Sequence, residues 1–530
     1  MNLLSVVVFL PVAGAVVAAF FPADEPGQHR ALALVVSLAT FFLSLGLWLG
    51  FATGPSAPEF QFETQLPWIA SLGIGYHVGI DGVALLLVLL TTVLTPIVVL
   101  STFNSVRERV KEFMIALLVL ESAMIGTFAA LDLVLFYVFW EGVLVPMYLL
   151  IGIWGSDNRL YATIKFFIYT FVASVLMLVA IIYVAAHAQG SFDYVKVRAS
   201  LALTPTAERW VFLAFAVAFA VKVPMFPLHT WLPDAHTEAP TAGSVILAGV
   251  LLKMGTFGFF RYALPLFPVA ALYYRPLIAT LAVIGILYGA LMCLVQKDMK
   301  RLVAYSSVSH MGFVMLGLMA LTAEGLTGGV YQMLNHGVST GALFLLVGLL
   351  YERRHTRAIS EFGGVAKEVP WLATAFVVVT LSSIGLPGTN GFVGEFLVLS
   401  GTWLGRLEGY LLGHVVRAPW YAAFAALGVI LGAVYMLLLV ERVFFGPSRN
   451  PKNAQLPDLS LREWFVLVPL VLLIGVMGFS PQPFLAPLEQ PTHRLLARFS
   501  AVEERLRKED PSLSPATGTE PPAIALEGVR

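Results

Sequence analysis

The chain has 530 residues, of which 58% are hydrophobic and only 12% are charged, whereas roughly 25% are charged in an ordinary soluble domain. Its 32 basic and 32 acidic residues cancel, so no excess charge points to nucleic acid as a partner. Cys293 is the only cysteine, which excludes a disulfide framework, a cysteine-ligated iron–sulfur cluster and a thiolate zinc site. The composition favours one large domain embedded in a lipid bilayer.

Apolar runs long enough to cross a hydrocarbon core of about 30 Å recur along the chain. The first run lacks the basic leading segment of a secretory signal, so we interpret it as a membrane span. In chain order, spans 1 to 14 cover residues 2–21, 31–51, 80–101, 113–131, 133–153, 162–186, 209–228, 240–262, 274–295, 302–321, 328–351, 371–403, 419–445 and 463–485. The sequence therefore predicts an all-α integral membrane fold of about fourteen helices.

Lysine and arginine are distributed unevenly between the loops on the two sides. The loops that follow odd-numbered spans, together with the span ends beside them, hold seventeen of them, and the loops that follow even-numbered spans, counted in the same way, hold seven. Because basic loops stay in the cytoplasm, both termini are expected on the opposite side. We expect residues 1–490 to form the membrane domain and residues 491–530 to form a polar, flexible tail.

Two spans are not simple helices. Span 12 would measure about 50 Å as one continuous helix, and it is interrupted at SSIGLPGTNGFVGE, residues 382–395. Span 7 is interrupted at VKVPMFPLHTWLPDAH, residues 221–236. Paired broken helices are typical of transporters built from inverted repeats, so we expect spans 4–8, residues 113–262, and spans 9–13, residues 274–445, to be two such repeats. Prolines that only kink helices for packing are the alternative.

Four ionisable residues lie well inside apolar runs: Glu141 in span 5, Lys222 in span 7, Lys253 in span 8 and Glu395 in span 12. Each central charge costs about 2.5 to 3.5 kcal/mol on insertion, which suggests a function. Burial disfavours the charged form, and a nearby opposite charge restores it. A Glu141–Lys222 pair that opens and closes would therefore release and bind a proton. The alternative is a structural ion pair that joins spans 5 and 7.

Polar side chains in spans 10 and 11 are candidates to connect the lysines with Glu395. Histidine titrates nearest to neutral pH, which suits a proton relay, although a single buried histidine can also be a hydrogen-bonded packing residue. These candidates lie in YSSVSHMGF and YQMLNHGVST and are Ser306, Ser307, Ser309, His310, Gln332, Asn335 and His336.

Further ionisable residues are secondary candidates. Glu121 lies in span 4, where it can relay protons or pair structurally. His229, His236 and Glu238 are expected near the cytoplasmic end of span 7, where loop anchoring and proton entry are simpler interpretations than a metal site. The residues therefore indicate a protein that moves protons, with no metal of its own.

Four long motifs carry a resemblance to a known family. They are FWEGVLVPMYLLIGIWG, KVPMFPLHTWLPDAHTEAPTAGSVILAGVLLKMGTFGFFRYALPLFP, KRLVAYSSVSHMGF and LPGTNGFVGEFLVL. They resemble the antiporter-like membrane subunits of respiratory complex I, most closely the chain M family (NADH dehydrogenase subunit 4). The resemblance implies a fourteen-helix fold with inverted repeats and broken helices 7 and 12. It also implies the inner membrane of a bacterium, with both termini on the periplasmic side.

The resemblance also implies roles for individual residues. Glu141 and Lys222 match the switch pair, Lys253 the connecting lysine, His310 and His336 the central hydrophilic axis, and Glu395 the terminal group. Glu395 separates this family from the related chains L and N, which usually have lysine there. Proton translocation would be coupled to electron transfer from NADH to quinone, with no cofactor in this chain and with FMN, iron–sulfur clusters and quinone held by partner subunits, chains L and N being among the membrane partners.

Three alternatives to a proton-translocating subunit of complex I remain open. Subunits of multisubunit sodium/proton antiporters share the plan of buried glutamate and lysines, and so do the membrane chains of energy-converting hydrogenases. A structural membrane scaffold, in which the buried charges only hold helices together, is the third.

Overall fold

A computed structural model describes residues 2–405, 410–411, 414–415, 418–447 and 450–509. Among these residues, twelve helices are long and apolar enough to cross a membrane. The other two expected spans are spans 7 and 12, the ones expected to be broken. The all-α membrane fold is thus confirmed, while the number of fourteen spans stays a prediction.

The first half of the chain, up to residue 266, contains thirteen α-helices and one β-hairpin in the described part. The helices are α1 (Leu3–Phe20), α2 (Pro26–Gly50), α3 (Gly82–Ser105), α4 (Val110–Ala129), α5 (Leu133–Gly142), α6 (Leu144–Trp154), α7 (Arg159–Ala186), α8 (Tyr194–Ser200), α9 (Pro205–Lys222), α10 (Trp231–Glu238), α11 (Thr241–Ile246), α12 (Leu252–Gly258) and α13 (Leu264–Leu266). The hairpin strands are β1 (Gln61–Ile69) and β2 (Ile74–Ile80), which pair antiparallel.

The second half begins at residue 268 and ends, for the described residues, at residue 509. Its helices are α14 (Pro268–Leu294), α15 (Met299–Ala320), α16 (Ala323–Arg354), α17 (Pro370–Ser383), α18 (Asn390–Leu404), α19 (Ala418–Phe444), α20 (Leu461–Phe479), α21 (Gln482–Leu485) and α22 (Glu489–Glu509). Two short strands, β3 (Tyr410–Leu411) and β4 (His414–Val415), pair between α18 and α19.

Both expected helix breaks are present. In span 7, α9 ends at Lys222 and the chain becomes helical again at Trp231, whose Nε1 donates to the carbonyl of Val221 at 2.9 Å. In span 12, α17 ends at Ser383 and α18 begins at Asn390. Non-helical backbone at membrane depth needs polar partners. Each break therefore leaves backbone N–H and C=O groups that nearby polar side chains or water must satisfy.

Two further irregularities were not expected from the sequence. Span 5 divides into α5 and α6 at Val143, where Pro146 has no N–H to donate to the carbonyl of Gly142. Span 8 contains two π-helical segments, Leu247–Leu251 and Phe259–Ala263, on either side of α12. Such segments are found frequently at functional sites. One irregularity therefore adjoins Glu141, and another precedes Lys253.

The centre of the bundle is formed by spans 8, 10 and 11. The most apolar part of each, within Thr241–Leu266, Met299–Ala320 and Ala323–Arg354, is completely buried. By contrast, only 28% of the corresponding part of α2 is buried. The helices that carry Lys253, His310 and His336 are therefore shielded from lipid by the rest of the chain.

One end of the bundle, which we call the hairpin end, consists of β1, β2, α8 and α22. The backbone N–H of Leu131 donates to the carbonyl of His77, which ties the hairpin to the start of α5. Within α22, Gln490 and Arg494 donate to the carbonyl of Ala57. The expected polar tail therefore starts as a helix packed on the protein, and residues 510–530 lie outside the described residues.

The opposite end, which we call the basic end, holds the loops that follow odd-numbered spans. Several of their basic side chains bond to backbone carbonyls of neighbouring loops. Arg30 donates to Val106, Lys111 to Phe21, Lys300 to Ala239, and Arg357 to Thr237.

Candidate functional site

Glu141 and Lys222 face each other without direct contact. The two side chains are close enough to interact electrostatically. Within the described residues, however, neither Glu141 Oε1 nor Lys222 Nζ has a hydrogen-bond partner. Lys222 Nζ lies 5.1 Å from the ring centroid of Trp140, the residue next to Glu141. The ring of Trp140 thus makes a cation–π contact with the ammonium group of Lys222, in place of an ion pair with a carboxylate. The structure holds this pair in an open arrangement.

Lys253 bonds directly to His336. Its Nζ lies 2.6 Å from Nδ1 of His336 and also donates to the carbonyl of Ala248, in the preceding π-helical segment. Lys253 is completely buried and His336 is 2% exposed. In its ammonium form Lys253 can only donate, so His336 Nδ1 then accepts this bond, and the imidazole is placed to take a proton from the ammonium group.

His310 connects the first histidine to Glu395. The ring centroids of His336 and His310 are 5.8 Å apart. On its other side, His310 Nδ1 lies 3.5 Å from Glu395 Oε1, and its Nε2 lies 3.4 Å from the hydroxyl of Ser383. Lys253, His336, His310 and Glu395 thus follow one another across α12, α16, α15 and α18, and we call this set the central series.

Polar side chains and a small cavity surround the gap between the two histidines. Gln332 donates to Glu395 at 3.4 Å and accepts from Asn335 at 2.8 Å. A cavity of about 10 Å³ is lined by both histidines, Gln332 and Asn335, among others. That volume approaches what one water molecule needs, and several polar partners are available to it. A single water would connect the histidine rings by hydrogen bonds.

The hydroxyl groups near the central series are not those expected from span 10. Ser306 and Ser307 donate to the carbonyl of Val303, and Ser309 donates to that of Ile286, so all three satisfy backbone groups. The hydroxyls that do form a side-chain network come instead from α16 and the break in span 12. They are Ser339, Ser382 and Ser383, together with Asn390. These residues lie in two motifs already noted in the sequence, YQMLNHGVST and SSIGLPGTNGFVGE. Only the fold reveals which of their side chains face inward.

The close approach of the span 12 break to Glu395 depends on Gly385. Its φ is +70°, a conformation that favours glycine, and a Cβ there would lie 2.6 Å from Glu395 Oε2. The backbone of the break therefore touches the carboxylate, and the break shapes the end of the central series.

Lys222 and Lys253 are connected through close helix packing rather than through a polar contact. A Cβ at Gly255 would lie 2.7 Å from the carbonyl oxygen of Phe219. Because Gly255 has no side chain, α12 can pack closely against the last turn of α9. A displacement of Lys222 at the end of α9 would therefore move backbone that contacts Gly255, two residues from Lys253.

The secondary candidates are placed apart from one another. Glu121 is fully buried in α4, and in the described part of the chain neither carboxylate oxygen has a hydrogen-bond partner. His229 packs against the rings of Phe226 and Tyr288. Glu238 accepts from the backbone N–H of Asn158, which anchors a loop. Among the described residues, no group of three histidine, cysteine, aspartate or glutamate side chains is placed to hold a metal ion.

His236 lies between the central series and a large cavity at the basic end. It is completely buried, and its ring stacks on Phe344 at 4.7 Å. Phe344 also lines a cavity of about 1020 Å³, together with Lys300, Asp298 and Arg357. Lys300, which the sequence places in the loop between spans 9 and 10 and which was not among the candidates, is 6% exposed and donates to the carbonyl of Ala239. Lys300 lies in the first turn of α15, two residues after the N-cap residue Asp298.

Comparison with known proteins finds close similarity over nearly the whole chain. Residues 130–416 match the family described as NADH:quinone oxidoreductase/Mrp antiporter, TM. NADH-quinone oxidoreductase subunit M from Rhodobacter capsulatus is 46% identical over 91% of this chain and 93% of that protein. NADH-ubiquinone oxidoreductase chain 4 from Marchantia polymorpha is 42% identical over 91% and 94%. A chain of respiratory complex I from Thermus thermophilus superposes with a TM-score of 0.84 at 34% identity, covering 94% and 99%.

Proposed function

The chain belongs to the NADH-quinone oxidoreductase subunit M family, and we propose that its buried charges carry the protons that this membrane subunit of complex I translocates. The observation that supports this proposal is the central series. Lys253, His336, His310 and Glu395 come from four helices, yet each is adjacent to the next. Such a costly arrangement within lipid-shielded helices is typical of proton relays.

The Glu141–Lys222 pair acts as the switch that loads and unloads this series. When Glu141 lies close, Lys222 retains a proton, and when the carboxylate moves away the proton is released. The contact of Lys222 with Trp140 represents the open position. The pair titrates as a unit, so the exchanged proton belongs to both residues. Residues 113–262 and 274–445 are the two inverted repeats that place a broken helix in each half.

Protons enter from the basic end. The large cavity there brings solvent to Phe344 and Lys300, and His236 stacks on Phe344. Glu121, His229 and Glu238 support the helices and loops around this route. Basic loops mark this end as cytoplasmic, in the inner membrane of a bacterium, so that both termini are periplasmic.

Electron transfer takes place in other subunits. This chain holds no redox group, and FMN, iron–sulfur clusters and quinone are bound by its partners. The other antiporter-like chains, L and N, are its neighbours in the membrane. Redox energy reaches this chain as a change in the separation of Glu141 and Lys222.

The test is redox-driven pumping by a complex that contains Lys222→Met. In proteoliposomes, we expect full assembly and a loss of more than about tenfold in protons moved per NADH oxidised, because the switch has lost its titratable group. Lys196→Met, which removes an exposed lysine on α8, is the matched control and should pump normally. Normal pumping by Lys222→Met would refute the switch. Poor assembly with normal pumping per assembled complex would instead assign Lys222 to a structural role.

A further inference from the structure

Four arginines converge at the hairpin end around a pocket of about 50 Å³. They come from three separate elements, namely α8, the π-helical segment Phe259–Ala263 and α22. Two carboxylates, Glu59 and Asp81, line the same pocket. The arginines are Arg198, Arg261, Arg494 and Arg498.

The two carboxylates are already engaged. Arg198 forms a two-pronged ion pair with Glu59, in which Nη2 lies 2.7 Å from Oε2. The charge of Arg198 holds the pKa of Glu59 below its usual range although burial alone would raise it. Arg261 Nη2 lies 2.6 Å from Asp81 Oδ1. Four guanidinium groups and two carboxylates leave the pocket with two formal positive charges in excess.

The remaining arginine contacts are incomplete. Arg494 donates to the carbonyl of Ala57, and Arg498 donates weakly to the carbonyl of Arg198 at 3.5 Å. Arg261 is 2% exposed, and its Nη1 has no hydrogen-bond partner among the described residues. The same holds for Arg498 Nε within the described ranges. A buried cationic donor without an acceptor is costly, so the pocket is arranged for an acceptor that a ligand would provide.

The chemistry of the pocket fits a phosphate group. Guanidinium forks match phosphate oxygens in a bidentate geometry. A phosphate carries one to two negative charges, which offsets the excess charge. The cavity exceeds the roughly 10 to 15 Å³ that one water needs, and the rings of Phe60 and Phe257 hold Arg261 in place at 4.9 and 5.0 Å.

We propose that this arginine pocket binds a phosphate group, supplied either by free phosphate or by the headgroup of an anionic phospholipid. The bound group links α22 to α8 and to the end of span 8. Binding of the phosphate group holds α22 against the rest of the protein, because Arg494 and Arg498 of that helix line the pocket. This role does not depend on the path that protons take through the membrane helices.

The test measures hydrogen exchange of α22 amides in the purified, delipidated complex. One arm adds inorganic phosphate at constant ionic strength, balanced with chloride. The second arm compares nanodiscs of pure phosphatidylcholine with nanodiscs that contain phosphatidylglycerol. Ligand at about four times its Kd should slow exchange that requires release of α22 by about fivefold. Slowing by phosphate identifies the free anion, and slowing only by phosphatidylglycerol identifies the lipid headgroup.

Arg498→Gln should abolish the slowing, because it removes one of the four guanidinium groups that line the pocket. Lys508→Gln removes the same charge from the same helix, but Lys508 pairs only with Glu504 among the described residues and does not line the pocket, so it should respond like the natural chain. An effect of chloride equal to that of phosphate, or no effect in either arm, would overturn the proposal. Loss of neighbouring subunits from the Arg498→Gln complex, without any phosphate effect, would assign the arginines to a protein interface instead.

Discussion

Individual charged side chains in the membrane helices differ mainly in which neighbours they have. Lys253 bonds to a histidine, Lys222 rests on an aromatic ring, and Glu395 lies beside His310 and Gln332. A carboxylate flanked by an imidazole and an amide can accept and return a proton without leaving its place. The role of each residue therefore follows from its partner more than from its burial.

Glu395 tests whether the end of the central series needs a titratable group. Glu395→Lys retains such a group next to His310, whereas Glu395→Ala removes it, so we expect the lysine variant to keep more proton pumping. Protons moved per NADH oxidised, measured in proteoliposomes with equal amounts of assembled complex, separate the two. Equal losses would count against a relay role for this position.

Protonation of His77 stabilises a cluster of charged side chains at the hairpin end, which we call the clasp. Its Nδ1 lies 2.7 Å from Asp193 Oδ2, and its Nε2 lies 2.7 Å from Glu63 Oε1. Burial lowers the pKa of His77, but the two carboxylates outweigh burial and raise it above its usual value. The protonated form therefore stabilises the fold fully below the unfolded pKa of about 6.5. This stabilisation is lost as pH rises through the higher folded pKa.

We expect hydrogen exchange in β1 and β2 to accelerate as pH rises above about 6.5, after correction for the intrinsic rate. His77→Gln should remove this extra dependence, and His187→Gln, which changes an exposed histidine, should retain it. An unchanged pH dependence in His77→Gln would exclude the clasp.

At the scale of elements, helix irregularities accompany the buried charges. Glu141 precedes the interruption between α5 and α6, Lys222 ends α9, and Lys253 follows a π-helical segment. Each irregularity frees backbone groups or alters the direction of a helix. Glu395 lies in α18, just after the break in span 12. The helices are therefore shaped so that charged groups meet polar backbone in the interior.

The break in span 12 can be tested through Gly391. A Cβ there would lie 2.0 Å from the carbonyl oxygen of Ser382, so Gly391→Ala forces the two half-helices apart. We expect a destabilisation of about 1–3 kcal/mol or more, since overpacking strains the surrounding backbone. The loss should appear as a lower melting temperature of the complex and as reduced pumping.

Gly432→Ala is the matched control, because a Cβ at Gly432 in α19 meets nothing within 4 Å among the described residues. It should leave stability unchanged or raise it by up to about 1 kcal/mol. If both variants melt alike, the tight crossing at the break does not contribute to stability.

At the scale of the whole molecule, the two ends of the bundle are chemically distinct. The basic end carries a large polar cavity, while the hairpin end carries a β-hairpin, an amphipathic helix and the arginine pocket. A directional pump needs such asymmetry, because protons must enter on one side and leave on the other.

The orientation can be tested with two exposed serines in a chain whose only cysteine is replaced, Cys293→Ser. Ser500 lies on α22 at the hairpin end, and Ser360 lies at the basic end. The variants Ser500→Cys and Ser360→Cys each introduce one thiol for labelling. A membrane-impermeant maleimide applied to intact cells should label position 500 and not position 360, with the opposite result in inverted membrane vesicles. The reverse pattern would place the termini in the cytoplasm.

Much of this architecture is readable from residue patterns, because its causes are local. Lipid demands long apolar runs, and clusters of proline and glycine break helices where single prolines, such as Pro96 inside α3, do not, so the membrane class and both breaks were predictable. The cost of burying charge singled out Glu141, Lys222, Lys253 and Glu395. The π-helical segments carry no comparable signal, since they depend on how neighbouring helices pack.

The adjacency of the candidate functional groups, in contrast, depends on helix rotation and on contacts between residues far apart in the chain. Lys253 and His336 are separated by 83 positions, and His310 meets the hydroxyl of Ser383 across 73. No local pattern could show that Ser306 and Ser309 turn to backbone carbonyls while Ser339 and Ser382 face the interior. The chain thus encodes the cost of its buried charges locally, and three-dimensional packing determines which of them are neighbours.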